Sequence, residues 1–117
     1  MLTWPANMRI YLSVAPTDMR KQFDGLSALV ESVFGKQVLD GHLFVFLNRR
    51  RDRLKILMWD RDGLVIFAKR LEQGTFQLPE VTPETTSLEL DATQLSLILS
   101  GIELRSAQRR KRYQPAA

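Results

Sequence analysis

The sequence contains no cysteine and only one histidine among its 117 residues. The absence of cysteine excludes thiol catalysis, thiolate metal sites and disulfide bonds, and a lone His42 excludes a metal site built from several histidines. No stretch approaches the ~18 apolar residues that a membrane-spanning helix requires, and residues 1–5 show no basic region followed by an apolar run. We therefore expect a soluble, cytoplasmic protein without a membrane partner.

The residue patterns of common enzyme active sites are also missing. A nucleophile relay needs a base beside the nucleophile, and His42 stands at the start of an apolar strand, where a structural role is expected. Asp52, Asp60 and Asp62 are not expected to converge on divalent cations, because a predicted strand separates Asp52 from the other two. The chain has no glycine-rich phosphate loop. The sequence therefore predicts no catalytic residues, no metal site and no cofactor.

Charge is distributed unevenly along the chain. Residues 71–104 contain six acidic groups and no basic one, whereas residues 105–117 contain five basic groups and no acidic one. A chain of 117 residues is expected to form one domain. We place this domain at residues 1–104 and expect residues 105–117 to form a flexible basic tail. The tail could bind a polyanion or serve only as an unstructured, solubilising end.

Apolar and β-branched residues in the middle of the chain predict a three-stranded antiparallel meander at 43–47, 53–59 and 64–68. The connecting turns lie at 48–52, which contains three arginines, and at 60–63, which contains one. Gly63 is expected to take the positive φ that closes the second hairpin. Arg53 and Lys55 should share one face of their strand. From Arg49 to Arg70 there are eight Lys or Arg and three Asp, a local charge of +5.

The flanking segments predict one more strand and two helices. Residues 9–14 form the strand, and Thr17 or Asp18 is expected to cap a long helix that ends at Gly35. Asp91, three residues before Gln94, predicts a capping box at the start of a short C-terminal helix that ends at Gly101. The apolar face of the long helix recurs at spacings of three and four: Met19, Phe23, Leu26, Val30 and Val33. This order predicts an α+β fold with a small, mostly antiparallel sheet, one long packed helix and a short C-terminal helix.

The cationic hairpins predict a nucleic-acid interface, because guanidinium groups are planar forks that match phosphate oxygens or a guanine edge. Phosphate contacts would supply most of the affinity and a strong salt dependence. The candidate DNA-binding residues lie in the two hairpins and in the tail: Arg49, Arg50, Arg51, Arg53, Lys55, Arg61, Lys69, Arg70, Arg109, Arg110, Lys111 and Arg112.

Several segments, taken in order, resemble a known family. These are residues 17–26, 43–46, 49–57, 59–63, 69–76 and 94–102, with TDMRKQFDGL and WDRDG among their motifs. They are similar to the second open reading frame of bacterial insertion sequences of the IS-sixty-six type, usually called TnpB or transposase Orf2. The resemblance implies a helper of transposition that works with a separate, longer transposase. DNA, including the terminal repeats of the element, and that transposase are therefore the expected partners.

A second interpretation stays open, in which the protein is an adaptor that docks or activates the transposase without binding DNA. Aromatic anchors often dominate protein interfaces, so exposed Trp4, Trp59 or Phe76 could provide the contact, as could the acidic segment from Glu72 to Glu103. Each of these aromatic residues could instead belong to the core.

Overall fold

A five-stranded sheet with a helix on each face forms the body of the protein in the computed structural model, which describes residues 7–101. An α+β class with one long and one short C-terminal helix is confirmed. The elements in chain order are β1 (Ile10–Ser13), α1 (Phe23–Phe34), a 3₁₀ turn (Val38–Asp40), β2 (Leu43–Leu47), β3 (Arg53–Asp60), β4 (Gly63–Arg70), β5 (Ser87–Leu90) and α2 (Ala92–Ser100).

The strands lie in the order β4-β3-β2-β1-β5. The predicted antiparallel meander is confirmed as β2, β3 and β4, with Leu47 opposite Leu54 and Asp60 opposite Gly63. β1 runs parallel to β2, and α1 lies in the connection between them. β5, which the sequence pattern did not predict, pairs antiparallel with the other side of β1. A four-residue strand gives a weak pattern, and its pairing with β1 depends on a contact distant in sequence.

Two hydrophobic cores lie on opposite sides of the sheet, because successive strand side chains point to alternate faces. On one face, Leu26 and Val30 of α1 pack against Phe44, Phe46 and Leu57. On the other face, Leu95 and Ile98 of α2 pack against a larger set: Ile10, Leu12, Leu43, Val45, Leu47, Leu54, Ile56, Met58, Phe76 and Leu90. Every residue of β2 is buried, since this strand carries a helix on both faces.

The long helix begins later than the sequence predicted. Its N-cap is Gln22, which makes no side-chain capping bond, so the expected caps Thr17 and Asp18 are wrong. The backbone N–H of Thr17 instead donates to Leu47 O at 2.7 Å, which keeps this segment alongside the sheet. Phe23, expected on the buried face, is 45% exposed because it stands at the first helical position.

Both helix ends that contain glycine match the prediction. Gly35 and Gly101 adopt left-handed backbone with φ of 64° and 82°, a conformation that glycine takes without steric cost. The predicted capping box is also confirmed, because the Asp91 carboxylate accepts from Gln94 N at 2.7 Å and Gln94 Oε1 accepts from Asp91 N at 2.9 Å.

The second hairpin turn corrects the expectation for Gly63. β3 ends at Asp60 and β4 starts at Gly63, so Gly63 is a paired strand residue and the turn contains only Arg61 and Asp62. The positive φ falls on Arg61, at 56°. A two-residue hairpin loop requires left-handed backbone inside the loop, and here an arginine adopts it.

Candidate nucleic-acid interface

The turn between β2 and β3 is organised by the half-buried side chain of Asn48. Its Oδ1 accepts hydrogen bonds from the backbone N–H groups of Asp52 (3.1 Å) and Arg53 (3.0 Å), while its Nδ2 donates to Asp52 Oδ1 at 2.7 Å. Asparagine supplies both a donor and an acceptor, which this turn uses together. Arg51 adopts left-handed backbone at φ 58° within it. The network therefore fixes the backbone that carries Arg49, Arg50 and Arg51.

Two further backbone hydrogen bonds attach this end of the sheet to the segment after β4. Asp52 O accepts from Leu71 N at 2.8 Å, and Arg51 O accepts from Phe76 N at 2.7 Å. Phe76 is 1% exposed and belongs to the core, which anchors the segment after β4. Together with the bond from Thr17 to β2, these contacts hold two chain segments beside the arginine-rich turn.

An open cleft of about 900 Å³ lies between these segments. We call it the arginine cleft. It is lined by residues 17–20 before α1, by residues 70–72 after β4 and by five residues of the first hairpin: Asn48, Arg49, Arg50, Asp52 and Arg53. Five arginines and three carboxylates are among its lining residues, which leaves a net charge of +2. Arg51 projects from the same turn without lining the cleft.

Two of these arginines are neutralised locally. Arg20 Nε and Nη2 donate hydrogen bonds to the two carboxylate oxygens of Asp18 at 2.8–3.1 Å. Arg70 Nη2 lies 2.7 Å from Glu72 Oε1. The side-chain and backbone hydrogen bonds from Arg20 lower the pKa of Asp18 to about 2. In turn, the carboxylate raises the pKa of Arg20.

The other arginines of the cleft and its turn form no close ion pair with a carboxylate within residues 7–101. Within residues 7–101, no carboxylate oxygen lies within 4 Å of the guanidinium nitrogens of Arg49, Arg51 or Arg53. Arg50 Nε is 3.9 Å from Asp52 Oδ2, too far for a hydrogen bond. The hydrogen bond from Asn48, with a smaller contribution from the charge of Arg50, lowers the pKa of Asp52. The Asp52 carboxylate is therefore favoured in its ionised form, and its Oδ1 accepts the hydrogen bond from Asn48 Nδ2.

Arg53 also faces a like charge, because it stands directly opposite Arg70 in the pairing of β3 with β4. Like charges at directly opposed positions destabilise a sheet. Glu72 offsets Arg70, while Arg53 has no such partner among the described residues. An anion bound in the cleft would relieve this repulsion.

Two of the candidate lysines, Lys55 and Lys69, donate hydrogen bonds to backbone carbonyl groups near the helices. Lys55 shares a face with Arg53, as predicted, and its Nζ donates to Met19 O at 2.9 Å and Lys21 O at 2.8 Å, which fixes the segment before α1. Lys69 lies on the opposite face and its Nζ donates to Leu99 O at 3.1 Å, near the C-terminal end of α2. A cation at that end also complements the helix dipole.

The remaining candidates lie elsewhere. Arg61 occupies the turn at the far end of β3, on the order of 25 Å from Arg53 at the usual rise of a strand. Arg109, Arg110, Lys111 and Arg112, together with Trp4, lie outside the described residues. The structure thus brings Arg49, Arg50, Arg53 and Arg70 together in one cleft and separates Arg61 from them.

Other sequence-predicted roles can now be placed. His42 has the structural role expected, since its Nδ1 accepts from Arg9 N at 3.0 Å and its ring meets Tyr11 edge-on. Of the proposed aromatic anchors, Phe76 is buried and Trp59 is half-buried. Residues 7–101 contain no group of three or more His, Asp or Glu arranged to hold a metal ion. No helix in the same range is long and apolar enough to cross a membrane.

Arg20, Asp18 and Glu72 also line the cleft, although they are not among the DNA-binding residues predicted from the sequence. Arg20 lies before α1 and lines the cleft. No local pattern indicates this, because the position of residues 17–20 depends on the bond between Thr17 and the end of β2. Glu72 carried a detectable signal, as an acid two residues after Arg70.

Comparison with known proteins agrees with the segments that carried the family resemblance. Residues 8–109 match the family described as IS66 Orf2 like protein. Two relatives from Sinorhizobium fredii, the uncharacterized proteins y4hO and y4jC, are 38% and 32% identical over 108 residues, which is 92% of this chain and 92% and 91% of theirs. No solved structure matches the chain. The protein therefore belongs to the family of IS66 Orf2-like proteins, which are accessory proteins of insertion sequences.

Proposed function

We propose that this protein is a non-catalytic accessory factor of transposition that binds DNA through the arginine cleft and the adjacent turn. The observation that carries the proposal is a set of three arginines that have no carboxylate partner within residues 7–101 and are held by a hydrogen-bonded turn: Arg49, Arg51 and Arg53. Such a factor would act in the bacterial cytoplasm, where element DNA and its transposase meet.

The physical argument starts from preorganisation. Ordering a long side chain costs conformational entropy on binding, and a turn fixed by Asn48 lowers the backbone part of that cost. Phosphate oxygens are the natural counter-ions for guanidinium groups, which bind them through two parallel hydrogen bonds. Arg53 would gain such a partner and lose the unbalanced repulsion of Arg70.

The proposal assigns the candidate cations different parts. Arg49, Arg50, Arg51 and Arg53 would contact phosphates directly, whereas Lys55 would hold the wall of the cleft in place. The tail cations, Arg109 to Arg112, remain a prediction as a second contact.

A gel-shift titration tests the proposal. The purified full-length protein is titrated against a duplex of the terminal inverted repeat of the element and against a scrambled duplex, each at two salt concentrations. Tighter binding to the repeat identifies a factor that recognises element ends, whereas equal but salt-sensitive binding identifies a general DNA-binding factor. No binding at either salt concentration contradicts the proposal and favours an adaptor that docks the transposase.

A pair of double variants locates the interface. Replacing Arg50 and Arg51 with Ala should weaken binding and lower the slope of log K against log salt by about 1.8, since each lost phosphate contact contributes about 0.9. Replacing Arg9 and Lys36 with Ala also removes two positive charges, but near the end of β1 that lies away from the cleft. This variant should leave the slope nearly unchanged. Equal slopes for both variants, with native melting profiles, would rule out the cleft and its adjacent turn as the binding surface.

A further inference from the structure

The outer edge of β4 is the longest unpaired strand edge in the described part of the protein. β4 has eight residues and ends the sheet, and the other edge strand, β5, has four. Its pairing with β3 is continuous from Gly63 to Arg70, without a bulge, and the strand contains no proline. Proteins usually protect long edges with prolines, bulges or central charges. β4 carries charge only at its end, on Lys69 and Arg70.

The hydrogen-bond pattern shows which backbone groups of β4 point outward. Leu71 N donates to Asp52 O, so residue 71, and every second residue before it, turns its backbone toward β3. The alternate residues, from Leu64 to Arg70, direct their N–H and C=O groups away from the sheet. Within the described residues these groups have no strand partner.

We propose that β4 pairs antiparallel with β4 of a second copy of this chain, about a two-fold axis at Ile66. In this register outward-facing residues meet outward-facing residues, as the hydrogen bonds require. Seven residues, 63–69, pair with the same segment of the second copy. A two-fold axis uses the same surface on both copies, which is the usual arrangement of homodimers.

Charge supports this register. With Ile66 on the axis, Asp62 of each copy stands opposite the partner's Arg70, so two attractive pairs form. Shifting the axis to Phe67 keeps seven paired residues but sets Asp62 opposite the partner's Glu72, and two acids then face each other. Opposite charges at paired positions stabilise a sheet and like charges destabilise it.

The same register covers an exposed aromatic side chain. Phe67 is 47% exposed on β4, and it would lie directly opposite the partner's Val65. These two residues form a pair without mutual hydrogen bonds, in which the side chains come closest. An aromatic residue facing a β-branched residue is a favourable cross-strand pair. The dimer would join two five-stranded sheets into one of ten strands.

Two charge-reversal variants of the full-length protein, measured separately and then as a mixture, test the proposal. The protein is first treated with nuclease to remove DNA that could bridge two copies. Asp62→Arg and Arg70→Asp should each dissociate the dimer, because each creates two like-charge pairs. An equimolar mixture of the two variants should recover it, since every pair in the mixed dimer is again attractive. The recovery also shows that both variants are folded. Sedimentation velocity over roughly 1–100 µM, the range where a micromolar complex dissociates, measures the mass against 13.5 kDa for one chain.

Two phenylalanines of similar exposure provide a second test. Phe67→Ser should weaken dimerisation about tenfold by removing two cross-strand contacts. Phe23→Ser changes a side chain of 45% exposure at the start of α1 and should leave dimerisation unchanged. A wild-type protein that stays monomeric across this range overturns the proposal. The proposal is also overturned if Asp62→Arg and Arg70→Asp each remain dimeric, or if the mixture of these two variants remains monomeric.

Discussion

The two turns that flank β3 are similar in sequence and different in structure. Both contain arginine and aspartate, and each contains one arginine with left-handed backbone, Arg51 at φ 58° and Arg61 at φ 56°. The first is held by Asn48 and by bonds to the segment after β4. The second is a two-residue connection between Asp60 and Gly63.

The difference teaches that arginine content alone does not define a binding surface. At the first turn, neighbouring segments add Arg20 and Arg70 and build a cleft. At the second turn, Arg61 stands on an exposed loop at the far end of the sheet. A polyanion rewards several cations at fixed positions more than one isolated cation, because each phosphate contact adds to the affinity.

The largest expected effect comes from removing the side chain that organises the first turn. Asn48→Ala leaves the backbone N–H groups of Asp52 and Arg53 without their acceptor and should lower the free energy of unfolding by about 1–3 kcal/mol. Asp60→Ala at the end of β3, next to the second turn, should change it by less than about 0.5 kcal/mol, since the exposed Asp60 side chain makes no hydrogen bond within residues 7–101. Urea denaturation measures both, and equal costs would remove the distinction between the turns.

A smaller effect should be shared by both turns. Glycine adopts left-handed backbone without the steric cost that arginine meets, so Arg51→Gly and Arg61→Gly should each raise the free energy of unfolding by about 0.5–1 kcal/mol. Thermal melting at low salt provides the measurement. A stabilisation at only one turn would show that the backbone strain differs between them.

The same two variants should separate the turns in DNA binding. Arg51→Gly removes a proposed phosphate contact and should lower the salt slope by about 0.9, whereas Arg61→Gly should leave it within error. Because both variants lose one positive charge and one left-handed arginine, they are matched in net charge and backbone. Equal losses of affinity would indicate a diffuse electrostatic attraction to the whole protein.

The smallest effect concerns acid stability at the cleft. The pKa of Asp18 is lowered to about 2 by its hydrogen bonds with Arg20, so between pH 4 and pH 2 the unfolded chain binds a proton that the folded chain does not. The stabilisation from this pair is therefore present above about pH 4 and is lost as the pH falls toward 2. NMR titration of the carboxyl carbon should give the low pKa, and Arg20→Gln should return it toward its ordinary value.

Local signals in the sequence predicted much of the fold. The meander, the Gly35 and Gly101 helix ends and the Asp91 capping box depend on residues close together in the chain, and all are confirmed. One error is local, because the positive φ expected at Gly63 falls on Arg61. The other errors concern contacts distant in sequence. The segment before α1 is held by the hydrogen bond from Thr17 to β2, so α1 starts only at Phe23. β5 forms by pairing with the side of β1 that β2 does not occupy.

The sequence by itself determined the family, the α+β class and the presence of cationic hairpins, since these follow from motifs, hydrophobic periodicity and turn residues. Only the tertiary structure decided which cations meet. It placed Arg49, Arg50, Arg53 and Arg70 around one cleft and gave Lys55 and Lys69 backbone partners. The physical reason is that strand register assigns each side chain to a face and an end of the sheet, and register is fixed by packing over the whole domain.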